Sequence, residues 1–420
     1  MNGGVETSGR TRWRGHADVS NEPVFIVGVQ RSGTTLLAAM LAAHSRLSCG
    51  PETHFFRRLA AADVARLCQR ATWPEAAADF LASITHVGFS SDARVPLLAK
   101  YQLDPAVVRA YLAAHEPRVA SILGAVTEPY MLARQKARWV EKTPDHLLHL
   151  PAIREHFPRS PIIRIVRDPR DVSLSLMNVP WGVRSFAEGL FYWERLDRAS
   201  RQFFTTDTGS LTVRFEDLVS APEATLGRIC DFIGERFEEG MLDTSSTGAE
   251  INARNVPWKE KVAKAVDRSR VEAWRASVSP REDRMAEALL GDRLQAFGYA
   301  RDHAFSHVAD VLPSIALAER YPGAIETLAA EGVRFWRERP DEPTSVTVYL
   351  GDPGSRDWFG GAAPIGPARV LADVARAAAS GRRLYWVTDT AANQWTGSVP
   401  FLLKTCLTPF RVQGCAPVSA

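Results

Sequence analysis

A short apolar run that ends in a glycine-rich turn constrains the fold of this chain more than any other feature. Residues 23–28 read Pro-Val-Phe-Ile-Val-Gly, and the turn continues to Gly33 before Thr34 and Thr35. The β-branched run predicts a buried strand, and the apolar positions of residues 34–43 predict a helix. A strand that enters a helix through a glycine turn is typical of an anion-binding loop in an α/β sheet.

The turn departs from the loop that holds ATP in P-loop proteins. A Walker A loop reads G-x-x-x-x-G-K-[ST]; the two glycines have that spacing here, but Thr34 stands in the position of the lysine. The hydroxyls of Ser32 and Thr35 and the cation of Arg31 still suit an anion at a helix start. The loop therefore predicts a phosphate site without the Walker lysine. A polar helix cap is the structural alternative.

Predicted strands and helices alternate along the chain after a mostly helical stretch at residues 57–135. The strands are residues 138–144, 161–166 and 211–218, and the helices include 185–204 and 221–233. This alternation predicts the α/β class, with a P-loop-like parallel sheet flanked by helices.

The pattern changes near residue 300. Residues 308–335 are predicted to be helical, and strand-like stretches at 344–352 and 382–389 flank a predicted helix at 368–380. This order predicts a smaller C-terminal α/β region. We therefore expect three parts, which are a disordered tail at 1–22, one domain at 23–300 and a C-terminal region of unknown role at 301–420.

Composition narrows the class of protein. The 420 residues carry a net charge of +3, which provides no general polyanion surface, so we expect no nucleic-acid partner. Residues 1–22 have no apolar core of a signal peptide, and no run of ~20 apolar residues predicts a membrane span. The five cysteines form no metal-binding pattern, which favours reduced thiols in the cytoplasm and no metal. The seven lysines among 51 basic residues, with abundant alanine, suggest a bacterial source.

A second motif adds to the glycine turn. The stretch Val-Arg-Asp-Pro-Arg-Asp ends a predicted strand with Arg167 and places Ser175 about one turn into the next helix. Taken alone, it could be a charged loop with salt bridges. Together with the first loop it resembles the sulfotransferases that use 3′-phosphoadenosine 5′-phosphosulfate (PAPS), over about residues 23–300.

The resemblance implies binding roles. The residues that would bind the 5′-phosphosulfate are Arg31, Ser32, Gly33, Thr34 and Thr35. Arg167 and Ser175 would bind the 3′-phosphate, and Arg268 and Arg270 lie where the family often has further cations. The family uses PAPS as co-substrate, releases 3′-phosphoadenosine 5′-phosphate (PAP) and needs no metal.

Two further stretches are similar to one branch of that family, the heparan sulfate 3-O-sulfotransferases and tyrosylprotein sulfotransferases. Cys-Gly-Pro-Glu-Thr-His-Phe-Phe contains Glu52, and Val-Glu-Lys-Thr-Pro-Asp-His contains Lys142. The resemblance implies that Glu52 is the general base and that Lys142 and Arg31 stabilise the transferring sulfonate. His54 and His146 lie in the same stretches and are alternative bases, because histidine titrates near neutrality.

Each of these residues has a structural alternative. Glu52 could be an exposed loop carboxylate, and Lys142 could form a surface salt bridge with Glu141 or Asp145. Two other functions compete with sulfonate transfer, namely a P-loop kinase, which would need a lysine at position 34, and a non-catalytic nucleotide-binding module. The acceptor can be a sugar, a peptide tyrosine, a lipid or a phenol, and a homodimer is compatible with the sequence.

Overall fold

The computed structural model describes residues 21–87, 94–251 and 268–303, and the short segments 307–309, 329–330, 333–335, 346–350 and 383–387. The chain divides into two compact units, which are Met1–Arg167 with Arg198–Val271, and Asp168–Asp197 with Glu272–Ala420. The predicted domain boundary near residue 300 stays a prediction. The predicted tail lies outside the described residues, except for residues 21 and 22.

The described strands, in chain order, are β1 (Val24–Gly28), β2 (Leu47–Cys49), β3 (Thr85–Val87), β4 (Arg94–Pro96), β5 (Arg138–Lys142), β6 (Ile162–Val166), β7 (Ser210–Arg214), β8 (His307–Ala309), β9 (Val333–Phe335), β10 (Val346–Leu350) and β11 (Arg383–Val387).

The described α-helices are α1 (Thr34–Ala43), α2 (Phe55–Arg58), α3 (Ala61–Leu67), α4 (Glu75–Ser83), α5 (Leu97–Lys100), α6 (Pro105–Ala113), α7 (Val119–Leu132), α8 (Leu150–His156), α9 (Pro169–Met177), α10 (Phe186–Thr206), α11 (Phe215–Ser220), α12 (Pro222–Ile233), α13 (Ser245–Ile251) and α14 (Pro280–Ala296). Short 3₁₀ helices cover Pro144–Leu148, Glu239–Leu242, Arg268–Arg270 and Ala273–Ala276.

The first unit contains a five-stranded sheet in the order β2-β5-β1-β6-β7, in which every pair of neighbours is parallel. All five residues of β1, β5 and β6 are buried. Strands of a parallel sheet are apolar because helices cover both faces. Here apolar residues of α1 and α12 pack with those of the sheet in one core, which includes Ile26, Leu37, Ile165 and Ile229. The predicted α/β class with a helix-flanked parallel sheet is confirmed.

Two glycines allow the turn after β1 to form. A Cβ atom at Gly28 would lie 2.5 Å from the carbonyl oxygen of Ile165, so only glycine lets β1 and β6 approach here. Gly33 has φ 94°, and a Cβ atom there would lie 2.4 Å from Cδ2 of Phe215. Both glycines of the predicted loop are therefore required by the backbone.

Several sequence-based boundaries were wrong. The strand predicted at 211–218 ends at Arg214, because Glu216 and Asp217 occupy the first turn of α11, where acidic side chains favour a helix. Strand β2 and both strands of the hairpin β3–β4 are each only three residues long, and the sequence did not predict them. The helix predicted at 308–335 is replaced, where the structure describes it, by β8, β9 and a two-residue helical segment at 329–330.

The second unit has its own parallel sheet in the order β11-β10-β8-β9, which confirms the two predicted C-terminal strands. The helix predicted between them, at 368–380, lies outside the described residues. In the same unit the guanidinium of Arg170 is buried, 2.8 Å from carboxylate oxygens of Asp168 and Asp283, with Cζ 3.7 Å from the ring centre of Trp274. This part of the second motif forms salt bridges, as the structural alternative predicted.

Candidate active site

The loop between β1 and α1 presents backbone and side-chain donors at a helix start. Arg31 has φ 71° and Gly33 has φ 94°, so both residues adopt the left-handed conformation. Ser32 is fully buried, and its hydroxyl has no hydrogen-bond partner among the described residues. Thr34 and Thr35 begin α1, whose first N–H groups have no acceptor within the helix. An orphaned buried hydroxyl beside a helix start fits a bound anion.

Arg31 lies in this loop, and two further arginines lie beside it. We refer to Arg31, Arg167 and Arg270 as the arginine cluster. Arg167 donates from Nη1 to the carbonyl oxygen of Arg31 at 3.2 Å and from Nη2 to that of Arg270 at 2.7 Å. Its guanidinium also lies over Phe215, 4.7 Å from the ring centre.

The arginine cluster brings like charges close together. Burial, together with the charges of Arg167 and Arg270, lowers the pKa of Arg31 to about 10, although Glu52 acts in the opposite direction. Like charges disfavour one another's charged forms. An anion bound here would relieve that repulsion.

Glu52 and Lys142 form a close ion pair. Lys142 Nζ lies 2.5 Å from Glu52 Oε1, and the lysine side chain is fully buried while that of Glu52 is 19% exposed. Lys142 is the last residue of β5 and is in register with Ile26 of β1. The salt bridge of Lys142 is therefore not at the surface, and the carboxylate of Glu52 is not freely exposed.

His54 connects this ion pair to a fourth residue, Asp145. Its Nε2 lies 3.4 Å from Glu52 Oε2, and its Nδ1 lies 3.2 Å from Asp145 Oδ2. Burial alone would lower the pKa of His54, but hydrogen bonds and charge interactions with Asp145 and Glu52 raise it to about 9. Glu52, Lys142, His54 and Asp145 are referred to as the base cluster.

A buried carboxylate holds the loop that carries the base cluster. Glu141 Oε1 accepts hydrogen bonds of 2.6 Å from the hydroxyls of both Thr53 and Thr143. Thr143 Oγ1 in turn accepts from the backbone N–H groups of Thr53, at 3.1 Å, and His54, at 3.3 Å. These bonds join residues about 90 positions apart and hold the loop against the end of β5.

His146, the other alternative base, lies in a different environment. It is fully buried, its Nδ1 lies 2.9 Å from Glu141 Oε2, and its Nε2 accepts from the N–H of Phe56 at 3.3 Å. A neutral imidazole has one donor and one acceptor nitrogen. Both are occupied, so His146 has no nitrogen left for an acceptor hydroxyl in this geometry.

The structure brings most predicted site residues into the first unit. That unit contains the glycine turn, Arg167, Glu52 and Lys142, whereas Ser175 lies on α9 in the second unit. The predicted joint binding of a 3′-phosphate by Arg167 and Ser175 stays a prediction. The sequence analysis did not identify Asp145 as a member of the base cluster. The one feature of the sequence that pointed to Asp145 was its position two residues after Thr143.

One group of described residues carries side chains of the types that can bind a metal ion. Ligand atoms of Asp283, Glu287 and His303 lie within 4.8 Å of one another in the second unit. Both oxygens of Glu287 accept backbone N–H groups, from Asp302 and His303, and Asp283 pairs with Arg170. These protein partners account for the cluster. No helix in the described ranges has the length and hydropathy needed to cross a membrane.

The fold and the site define an α/β protein with a glycine turn between its first strand and its first helix. The sequence profile of the sulfotransferase family matches residues 23–239, which is just over half of the chain. This chain belongs to the sulfotransferase family.

Individual relatives are distant. Protein-tyrosine sulfotransferase 2 of Gallus gallus is 25% identical over 228 residues, which cover 52% of this chain and 53% of the chicken protein. Nodulation protein NoeE of Sinorhizobium fredii is 24% identical over 349 residues, 74% of each chain. The sulfotransferase domain of the Synechococcus PCC 7002 olefin synthase is 24% identical with a TM-score of 0.48, and the match covers 69% of this chain and 99% of that domain. This chain thus spans about half the length of the chicken relative.

Proposed function

We propose that this protein transfers a sulfonate group from PAPS to a hydroxyl or amine acceptor. The observation that carries the proposal is the contact between Glu52 and Lys142 next to Arg31, whose charge interacts with Glu52 and with the rest of the arginine cluster. A carboxylate base and a group of cations are thus close together. Sulfonate transfer needs both, since a proton is removed while negative charge moves between oxygens.

The residues of the first loop fit the phosphosulfate of PAPS. The orphaned hydroxyl of Ser32 is a donor without a partner in the described part of the chain, and Gly33 leads directly into the start of α1. Thr34 and Thr35 add hydroxyls, and Arg31 adds a cation. An anion bound here would accept a hydrogen bond from the Ser32 hydroxyl. Burying that hydroxyl without a partner costs about 1–3 kcal/mol.

Arg167 is proposed to bind the 3′-phosphate, with Ser175 as a second ligand. The structure supports the role of Arg167 because its guanidinium belongs to the arginine cluster and is held by two carbonyl oxygens. Arg270 belongs to the same cluster and is a third cation for the nucleotide. Charge-assisted contacts of this kind are stronger than neutral hydrogen bonds.

The chemistry requires one proton acceptor. The acceptor oxygen forms a bond to sulfur, the bond between sulfur and the bridging phosphate oxygen breaks, and PAP leaves with that electron pair. Glu52 takes the proton of the acceptor hydroxyl. Lys142 and Arg31 stabilise the negative charge on the sulfonate and bridging oxygens. His54 is less suited as the base, because a histidine with a pKa of about 9 is already protonated at neutral pH.

The proposed acceptors are a sugar, a peptide tyrosine, a lipid or a phenol. The relative from chicken is named for protein tyrosine and NoeE for nodulation, and the proposal keeps all four classes of acceptor. A bacterial source, a cytoplasmic location, independence from metal and a homodimer stay predictions.

A transfer assay tests the proposal. The protein is incubated with PAPS labelled in the sulfonate, in EDTA, with four probes, which are a tyrosine peptide, an N-acetylglucosamine oligosaccharide, a sterol and 4-nitrophenol. The control is Glu52→Gln, which keeps the side-chain shape but cannot take the proton. We expect label in at least one probe, or released as sulfate with water as acceptor, in the wild type only. No transfer with any of them would contradict the proposal.

A further inference from the structure

Asp145 occupies a place that the proposed reaction does not explain. It lies in the 3₁₀ helix Pro144–Leu148, and it is almost fully buried. Its two carboxylate oxygens lie 3.2 Å and 3.3 Å from Nδ1 of His54, on the opposite edge of the ring from Glu52. The imidazole of His54 is thus placed between two carboxylates.

We propose that Asp145 is a positioning residue for the base, holding His54 as a cation that donates from Nε2 to Glu52. This inference rests on the proposed function, since it assigns Asp145 a role through the residue that function uses as base. Asp145 itself touches neither PAPS nor the acceptor in this account.

The geometry favours the charged form of His54. A neutral imidazole that donates from Nδ1 to Asp145 would turn the lone pair of Nε2 toward the carboxylate of Glu52. Only the imidazolium donates from both nitrogens. The raised pKa of His54, about 9, agrees with this arrangement.

Two carboxylates lie against His54, and further charged groups surround them. Glu52 and Asp145 contact the ring, and the groups that interact with these two carboxylates include Lys142 on β5, Arg31 in the glycine turn, Arg57 on α2 and His146 on the 3₁₀ helix. Lys142 pairs with Glu52, and Arg57 lies 3.6 Å from Asp145 at the rim, with its side chain 67% exposed.

Glu52 consequently has a cation at each oxygen, Lys142 at Oε1 and His54 at Oε2. In the proposed reaction the proton of the acceptor hydroxyl moves to one of the lone pairs of this carboxylate. The two cations fix the plane of the carboxylate. Asp145 supports the second cation, and thereby the orientation of the base.

The backbone of His54 does not depend on Asp145. His54 has φ 50°, and its N–H donates to Thr143 Oγ1. Asp145→Asn keeps the size of the side chain and an oxygen that can accept from Nδ1, but removes the charge. The variant should therefore fold, and Asp63→Asn, an exposed carboxylate on α3 that pairs with Arg66, is the matched control.

The direct test is a pH titration of the His54 ring by ¹H–¹⁵N NMR on protein labelled in histidine, with His54→Asn to assign the signal. We expect the midpoint to fall by at least one pH unit, a tenfold change in proton affinity, in Asp145→Asn and to stay unchanged in Asp63→Asn. An unchanged midpoint in Asp145→Asn would overturn the proposal.

A double-mutant cycle tests whether Asp145 acts through His54. The rate of labelled sulfate release from PAPS, with water as acceptor, is measured for each single variant and for the double variant. In the wild-type background we expect Asp145→Asn to lower the rate about tenfold, which is less than the ~10²–10⁴-fold loss of rate expected when a base is removed. In the His54→Asn background we expect Asp145→Asn to cause no further loss of rate. An equal loss in both backgrounds would show that Asp145 acts on the fold and not through His54.

The outcomes separate this inference from the proposed function. If wild type transfers sulfonate, Glu52→Gln does not, and Asp145→Asn matches wild type, the positioning role alone is wrong. If wild type transfers no sulfonate to any acceptor, the proposed function is wrong, and so is the role of Asp145, whatever its effect on the titration of His54.

Discussion

The arginine cluster and the base cluster lie in the same unit but differ in how their charges are compensated. Burial lowers the pKa of Arg31, and the charges of Arg167 and Arg270 lower it further. Glu52, in contrast, has Lys142 on one oxygen and His54 on the other, and His54 has Asp145. The base cluster pairs two anions with two cations, whereas the arginine cluster brings like charges together, with Arg167 and Arg270 both disfavouring the charged form of Arg31.

This difference assigns the two clusters different tasks. Repulsion among like charges is a cost that a bound anion removes, and in the proposed function the arginine cluster binds a ligand with several negative charges. The base cluster pairs its carboxylates with cations inside the protein, which holds the proposed proton acceptor in one orientation. In the proposed function one cluster supplies binding and the other supplies chemistry, so single substitutions should separate the two effects.

The largest effect is expected in the base cluster. Glu52→Gln should lower kcat by a factor of ~10² to 10⁴, because the amide cannot accept the proton. PAP binding should remain close to that of wild type, since the arginine cluster is intact. Steady-state kinetics and titration calorimetry measure the two quantities. His54→Asn and His146→Asn should have smaller effects on turnover; if either abolishes it while Glu52→Gln stays within a few-fold of wild type, Glu52 is not the base.

A substitution in the arginine cluster should have the opposite signature. Arg167→Ala should weaken PAP binding by roughly 1.5–3 kcal/mol, the value of a hydrogen bond to a charged group. Calorimetry with PAP and with adenosine 5′-phosphosulfate, which lacks the 3′-phosphate, should show the loss with the first ligand only. Equal losses with both would mean that Arg167 acts by holding the carbonyl oxygens of Arg31 and Arg270.

The pH dependence of stability should report the base cluster. The pKa of His54 is raised to about 9 in the folded protein from 6.5, so its stabilising contribution is complete below pH 6.5 and is lost as the pH rises through 9. The contribution is at most about 3 kcal/mol. Urea unfolding of wild type between pH 6.5 and 9.5 should show a decline that His54→Asn reduces. A wild-type stability that rises over this range, or a slope that His54→Asn leaves unchanged, would contradict the assignment.

The smallest effect concerns stability without ligand. Arg31→Gln removes one of three like charges, so the protein without PAP should be as stable as wild type or more stable, by roughly 0.5–2 kcal/mol. Its affinity for PAP should fall. Arg66→Gln, an exposed arginine that pairs with Asp63, is the control and should change stability by less than about 0.5 kcal/mol. A clear loss of stability in Arg31→Gln would mean that the repulsion is compensated within the protein.

The sequence predicts the turn after β1 well because local rules determine it. The glycine at position 33 adopts φ 94°, and the helix over 34–43 begins and ends where its apolar pattern predicts. The parallel sheet follows from the alternation of strands and helices. Short strands such as β2 carry too few residues to show a period, which is why they were missed.

The base cluster is less predictable because its contacts are long-range. Glu52 and Lys142 are 90 residues apart and were identified by family resemblance, not by spacing. The contact between His54 and Asp145 spans 91 residues and has no local pattern. The buried role of Glu141, which fixes Thr53 and Thr143, likewise depends on how β5 and the loop before α2 meet.

The most direct test of the central claim is titration calorimetry of the unliganded protein with PAP and with ATP, in EDTA. We expect PAP to bind without metal, because hydroxyls, backbone N–H groups and arginines provide the site, and we expect ATP, which lacks the 3′-phosphate, to bind at least tenfold more weakly. Failure of PAP to bind, or binding of ATP with equal affinity, would contradict the assignment of the arginine cluster to PAPS.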